Sequence, residues 1–240
     1  MNPLPSFSQK TPYRCYERSF LHLQGILPWS FLLIMLLVGC SSAQEEDENS
    51  VKVNKAKPFP LSQVELLKGP FREAQQLDQQ YLLSLEPDRL LHMFRITSGL
   101  PSDSKAYGGW ESEDVELRGH SLGHYLSALA MMYQATGKEK LKARGDYLVK
   151  ELAKCQEAFG ETGYLMAYPE TFFDRLESHE WVWAPYYTLH KILAGLIDQY
   201  TYNNNQQALD IAVRMSQWVK NRNSKFSQEE MQKILSHEHG

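Results

Sequence analysis

The stretch Leu117–Tyr133, LRGHSLGHYLSALAMMY, admits few folds. Leu117, Leu122, Tyr125, Leu126, Leu129, Met132 and Tyr133 keep helical spacing, while Gly119, Gly123, Ser127, Ala128 and Ala130 fill the remaining faces with small side chains. A helix that is apolar or small all round is buried all round. It also carries Arg118, His120 and His124, whose polar groups need partners once they leave water. Together these features predict an inner-layer helix whose polar start faces a cavity. Upstream, Gly108 and Gly109 loosen the chain before Trp110. The acidic run Glu111, Glu113, Asp114 and Glu116 carries the charge that a helix start favours, so the pattern predicts a helix over about 114–135.

From Leu61 onward the chain reads as helical throughout, with no alternating run long enough for a sheet. One helix is expected from Pro70 and another from Pro87, the latter stopping at Ser98-Gly99. After the Thr136-Gly137 turn, Leu141, Leu148, Leu152, Cys155 and Phe159 share one face of an amphipathic helix. Loops are expected at 164–170 and 181–185. Pro185 then opens a second helix that is apolar on most faces, Asn203–Asn205 turns the chain into an amphipathic helix, and a last helix begins at Ser227. Tyr133–Leu141 and Tyr200–Leu209 have nearly the same layout. Buried helices alternating with amphipathic ones predict an all-α fold, a partial (α/α)6 barrel. On this count 61–240 supplies about half of such a toroid, leaving inner helices uncovered with a large apolar patch.

The first fifty residues read as an address. The apolar run Ile26–Val38 is shorter than the ~20 residues that a comfortable membrane span needs. It has the length of a signal-peptide core and runs into Leu37-Val38-Gly39-Cys40. That ending resembles the lipobox of bacterial lipoproteins, with Cys40 as the lipid anchor; an ordinary secretory signal or a short anchor is the alternative. The expected division is a signal peptide over 1–39, an acidic tether and linker over 40–60, and a helical domain over 61–240. This implies a lipid-anchored protein of the bacterial envelope, at the outer membrane or cell surface. A net charge of −4 leaves no electrostatic footprint for nucleic acid. Cys15, Cys40 and Cys155 make neither a disulfide framework nor a cysteine-only zinc site.

Several motifs carry a family resemblance. They are Gly69-Pro70-Phe71, Asp88-Arg89-Leu90-Leu91, Gly108-Gly109-Trp110-Glu111, the run Leu117–Ala128, Gly163-Tyr164-Leu165 and Trp183-Ala184-Pro185-Tyr186-Tyr187-Thr188-Leu189-His190-Lys191. Over 61–240 the chain resembles the β-L-arabinofuranosidases of glycoside hydrolase family 127 and the related family 146. The resemblance implies an (α/α)6 catalytic barrel followed by β-sandwich domains. It also implies retaining removal of terminal β-L-arabinofuranosyl units from arabinose-containing plant glycans. The family's machinery is a zinc-held cysteine nucleophile with further cysteines and a glutamate, plus an acid/base glutamate, and the resemblance places all of it C-terminal to this chain. The expectation is therefore a truncated N-terminal half, inactive alone. It would hold no catalytic residue and no cofactor of its own, zinc belonging to the full-length family.

Within that frame Trp110, His120, Trp183 and His190 are the candidate sugar contacts. Aromatic rings stack on the C–H faces of sugars, and imidazoles bond their hydroxyls. The plainer readings are that the tryptophans plug the barrel rim and that His120 and His124 are satisfied inner-layer histidines. His190 fits sugar contact or a buried hydrogen bond equally. Glu111 and Glu170 could be taken as a glycosidase pair; helix-start charge and a loop hydrogen bond account for them better. A non-catalytic lipoprotein that binds glycan or a partner protein is the alternative function.

Overall fold

The structure, a computed structural model, describes residues 57–238. Cys40, the signal segment and most of the tether lie outside the described residues. Those described are all-helical, with no strand among them. The helices are α1 (Pro70–Ser84), α2 (Pro87–Thr97), α3 (His120–Thr136), α4 (Glu139–Ala158), α5 (Thr171–Glu177), α6 (Pro185–Asn203), α7 (Gln206–Asn223) and α8 (Gln228–Leu235). Proline opens α1, α2 and α6, where its missing N–H costs nothing and its fixed φ suits a first turn. At the start of α8, Ser227 and Glu230 form a capping box.

The inner layer is the pair α3 and α6. Leu122, Leu126 and Leu129 of α3 and Ile192 and Leu196 of α6 have no exposed surface. Two glycines let the backbones touch. A Cβ on Gly123 would fall on the Lys191 carbonyl and within 2.7 Å of the Ile192 nitrogen. One on Gly195 would strike the Gly123 carbonyl oxygen and come within 2.8 Å of Leu126 Cβ. Outside this pair, α4 and α7 each bury one face, through Leu141, Leu148, Leu152 and Cys155 in one and Ala208, Ile211 and Met215 in the other. Of the large apolar residues on the inner pair, Met131, Ile197 and Tyr200 are the exposed ones. Helix α1 buries only Gln79 and Leu82, leaving Phe71, Leu77 and Tyr81 exposed.

Three local departures matter for the site. First, α3 starts at His120 and not near 114. Gly119 holds φ at +98°, a left-handed backbone that stops a helix from running through. The acidic run is accordingly turn and short 3-10 structure, Gly109–Glu111 included. Second, the segment after Glu170 is a helix, α5, which buries Phe172, Phe173 and Leu176. Third, the loop ahead of it is core, with Tyr164 to Tyr168 almost without exposed surface. A buried loop must satisfy its own polar groups, and this one does. The Tyr164 hydroxyl donates to the Tyr168 carbonyl, the Tyr168 hydroxyl to the Pro185 carbonyl (2.7 Å), and Arg118 Nε to the Ala167 carbonyl (2.8 Å).

Candidate functional site

The starts of α3 and α6 lie together, and each is built from a left-handed residue and a distant glutamate. At α3 the left-handed residue is Gly119, and Glu111 accepts hydrogen bonds from the Gly119 and Ser121 backbone N–H groups at 2.7 and 2.9 Å. At α6 it is Ala184 with φ 50°, and Glu238 accepts from the Tyr187 N–H at 3.0 Å. A carboxylate here satisfies N–H groups that the helix cannot and meets the positive end of its dipole. Glu111 therefore does for α3 what a local capping side chain does elsewhere.

The loop that delivers Glu111 and Trp110 is pinned from α2. Arg89 donates to the Lys105 and Ala106 carbonyls at 3.2 Å each and lies 4.0 Å over the Tyr107 ring. On the α6 side, the Trp183 N–H donates to Glu116 Oε2 at 2.9 Å, and Glu116 is also paired with Arg175.

Trp110, His120 and Trp183 come together on this frame. Trp110 is 62% exposed, with its ring centroid 5.9 Å from His120 and 6.4 Å from Trp183. His120 is buried, its Nδ1 2.9 Å from the Leu117 carbonyl and 3.0 Å from Glu111 Oε1. Three further side chains join them. His124 lies 6.0 Å from His120, Tyr187 6.3 Å from His120, and Lys191 Nζ 4.5 Å over the Tyr187 ring. His124 is exposed, so the buried-histidine reading holds for His120 alone. His190 is exposed too, which removes the buried-hydrogen-bond alternative, and it makes no ring contact with the trio. Trp181 points to solvent at 64% exposure. Glu170 is committed to Arg222 at 3.5 Å, so the two tempting carboxylates are both held by structural partners.

Burial works against charge on both members of the Glu111–His120 pair, and the pairing outweighs it. The Glu111 carboxyl is held below its ordinary value because His120, Gly119 and Ser121 all donate to it. The imidazole of His120 is raised above 6.5 by the Glu111 hydrogen bond and charge and by the Leu117 carbonyl. For His124, partial burial and then the Lys191 charge push the imidazole down. The stability signs follow from linkage. A lowered Glu111 contributes fully above 4.5 and loses its contribution as pH falls through its folded value; a raised His120 contributes fully below 6.5 and loses it as pH rises through its own. The melting-temperature gap between the native chain and Glu111→Gln should therefore be widest between pH 4.5 and 6.5 and narrow on either side. A gap that is flat from pH 4 to 9, read by calorimetry, would contradict the ion pair.

The described residues do not fit the zinc centre that the resemblance associates with full-length enzymes. No group of three His, Cys, Asp or Glu among them is placed to hold a metal ion. Cys155 is buried on α4, and burial raises its thiol, the opposite of what a thiolate ligand needs.

Comparison with known proteins gives one result for the family. The family model described as "Beta-L-arabinofuranosidase, GH127 catalytic domain" matches residues 63–240. No curated protein matches the chain. The family match corrects the expectation of a truncated half from which the catalytic part is missing. The matched stretch is catalytic-domain sequence over nearly all of the described fold, and the inference of inactivity drawn from the resemblance is withdrawn with it.

Proposed function

The chain belongs to the GH127 β-L-arabinofuranosidase catalytic-domain family, and from that premise we propose that the rim at the starts of α3 and α6 receives a terminal β-L-arabinofuranosyl unit of an arabinose-containing plant glycan for hydrolysis. In this reading α3 and α6 are inner helices, and α4 and α7 outer helices, of an (α/α)6 barrel. Cys40 is the lipid anchor that holds the domain at the bacterial envelope.

The observation that carries the reading is the meeting of His120 and Trp183 at Trp110, their ring centroids 5.9 and 6.4 Å from its own, on a partly open surface. A furanose ring offers C–H faces to the two indoles and hydroxyls to the imidazole. Tyr187, His124 and His190 extend the same rim with further hydroxyl and imidazole groups.

The test is titration of methyl β-L-arabinofuranoside into the full chain, followed by tryptophan fluorescence, alongside free L-arabinose released from an oligosaccharide ending in that sugar. Saturable binding is expected, and Trp110→Ala or Trp183→Ala should each weaken it about tenfold, the factor for ~1.4 kcal/mol. Binding unchanged in both variants would overturn the assignment.

A further inference from the structure

His120 Nδ1 faces two acceptors, the Leu117 carbonyl at 2.9 Å and Glu111 Oε1 at 3.0 Å. Neither can donate a proton to it, so this nitrogen carries the hydrogen in every charge state of the ring. Among the described residues, no hydrogen bond reaches the other nitrogen, Nε2. Buried side-chain atoms lacking a partner include Gln156 Oε1, Thr188 Oγ1 and Asn203 Oδ1 but not this one, so Nε2 is not sealed from solvent. Glu111 itself is not free to turn, because the Gly119 and Ser121 N–H groups hold both of its oxygens.

We propose that Glu111 is a positioning residue that fixes the ring and tautomer of His120, so that Nε2 is the atom offered to a hydroxyl of the bound glycan. This rests on the sugar-binding reading above. A carboxylate behind an imidazole sets which nitrogen is available in front, the arrangement by which second partners orient histidines at metal and catalytic sites. The neutral ring then accepts from a sugar hydroxyl at Nε2, and the protonated ring donates to one. The charged and titratable groups that face His120 are Glu111 from the loop, His124 from its own helix, and Tyr187 and Lys191 from α6, with His190 beyond them. The helix cap and the site are thus one device. The same carboxylate that starts α3 aims its first side chain.

The experiment is ring-nitrogen NMR of the full chain labelled with ¹⁵N-histidine, combined with binding of methyl β-L-arabinofuranoside across pH. In the native chain His120 should show the Nδ1–H tautomer once neutral. In Glu111→Gln that preference should be lost and affinity should fall about tenfold, while Glu111→Asp should restore the tautomer and most of the affinity. Trp110→Ala should lose affinity with the His120 tautomer unchanged, which separates orientation from stacking. An Nε2–H tautomer in the native chain, a spectrum that needs no variant to fold, overturns the proposal. Unchanged tautomer and affinity in Glu111→Gln overturn it as well. A native chain with the Nδ1–H tautomer that binds no pentofuranoside overturns the sugar reading alone and leaves the orientation of His120 supported.

Discussion

Gly123→Ala is expected to cost at least about 3 kcal/mol of folding free energy, the upper part of the range for overpacked cores. The added methyl would land on the Lys191 carbonyl and close to the Ile192 nitrogen. These are backbone atoms of a helix whose own hydrogen bonds hold it straight, so no side chain can turn aside. The two inner helices must move apart instead, and that loosens the packing of Leu122, Leu126, Ile192 and Leu196 at once. Gly195→Ala should act through the same contact, since its methyl would meet the Gly123 carbonyl. The double variant is therefore expected to cost less than the sum of the two. Urea unfolding with a fixed slope reads both effects. A loss under about 1 kcal/mol in the single variant would mean that α3 and α6 do not approach this closely.

Arg118→Ala is expected to cost about 3 kcal/mol, combining lost charged hydrogen bonds with a cavity. Arg118 donates to the Ala167 carbonyl from Nε and to the Val115 carbonyl from Nη1 at 3.0 Å, and its guanidinium lies 5.2 Å over the Phe172 ring. It is 8% exposed. One side chain thus ties the turn before α3 to the buried 164–168 loop and to α5. Removing it strands a buried carbonyl that no water can reach easily. Arg118→Lys keeps the charge but has no planar fork to serve two carbonyls, so it should recover less than half of the loss. Because the residue sits just before Gly119 and His120, the alanine variant should also weaken sugar binding. A variant with native stability would contradict this account of the buried loop.

Much of the fold was legible because its helices obey local rules. The prolines at 70, 87 and 185, the Thr136-Gly137 and Asn203–Asn205 turns and the Ser227 cap all mark helix ends where the structure has them. The all-round apolar patterns of 120–136 and 185–203 likewise identify the inner pair. What sequence spacing could not give was contact at a distance. Glu111 looked like first-turn charge, yet it caps a helix that begins nine residues later. The acidic run reads as helix start only if Gly119 is taken as one more small residue; its left-handed backbone decides otherwise. Helix α5 left a signal, since Phe172, Phe173 and Leu176 have the i, i+1, i+4 spacing of a short buried face. It is only two turns long, and the flanking loops masked it.

The candidate site was legible in part. Trp110, His120 and Trp183 do meet. Tyr187 and Lys191 were visible only as members of a motif, and their place beside His120 depends on how α6 lies on α3. The pattern alone places His124 inside an apolar helix, whereas the structure leaves it exposed. The half-domain expectation failed for a different reason. It rested on which catalytic residues the sequence lacks, whereas the family match rests on the residues it has.

The most direct measurement is the indole N–H spectrum of the full chain during titration with methyl β-L-arabinofuranoside. Trp110 and Trp183 line the proposed site, Trp218 is buried against Tyr164 and Phe173, and Trp181 faces solvent. The account predicts saturable shifts at Trp110 and Trp183 with Trp181 and Trp218 unmoved. Shifts confined to other tryptophans, or none at saturating sugar, would contradict it.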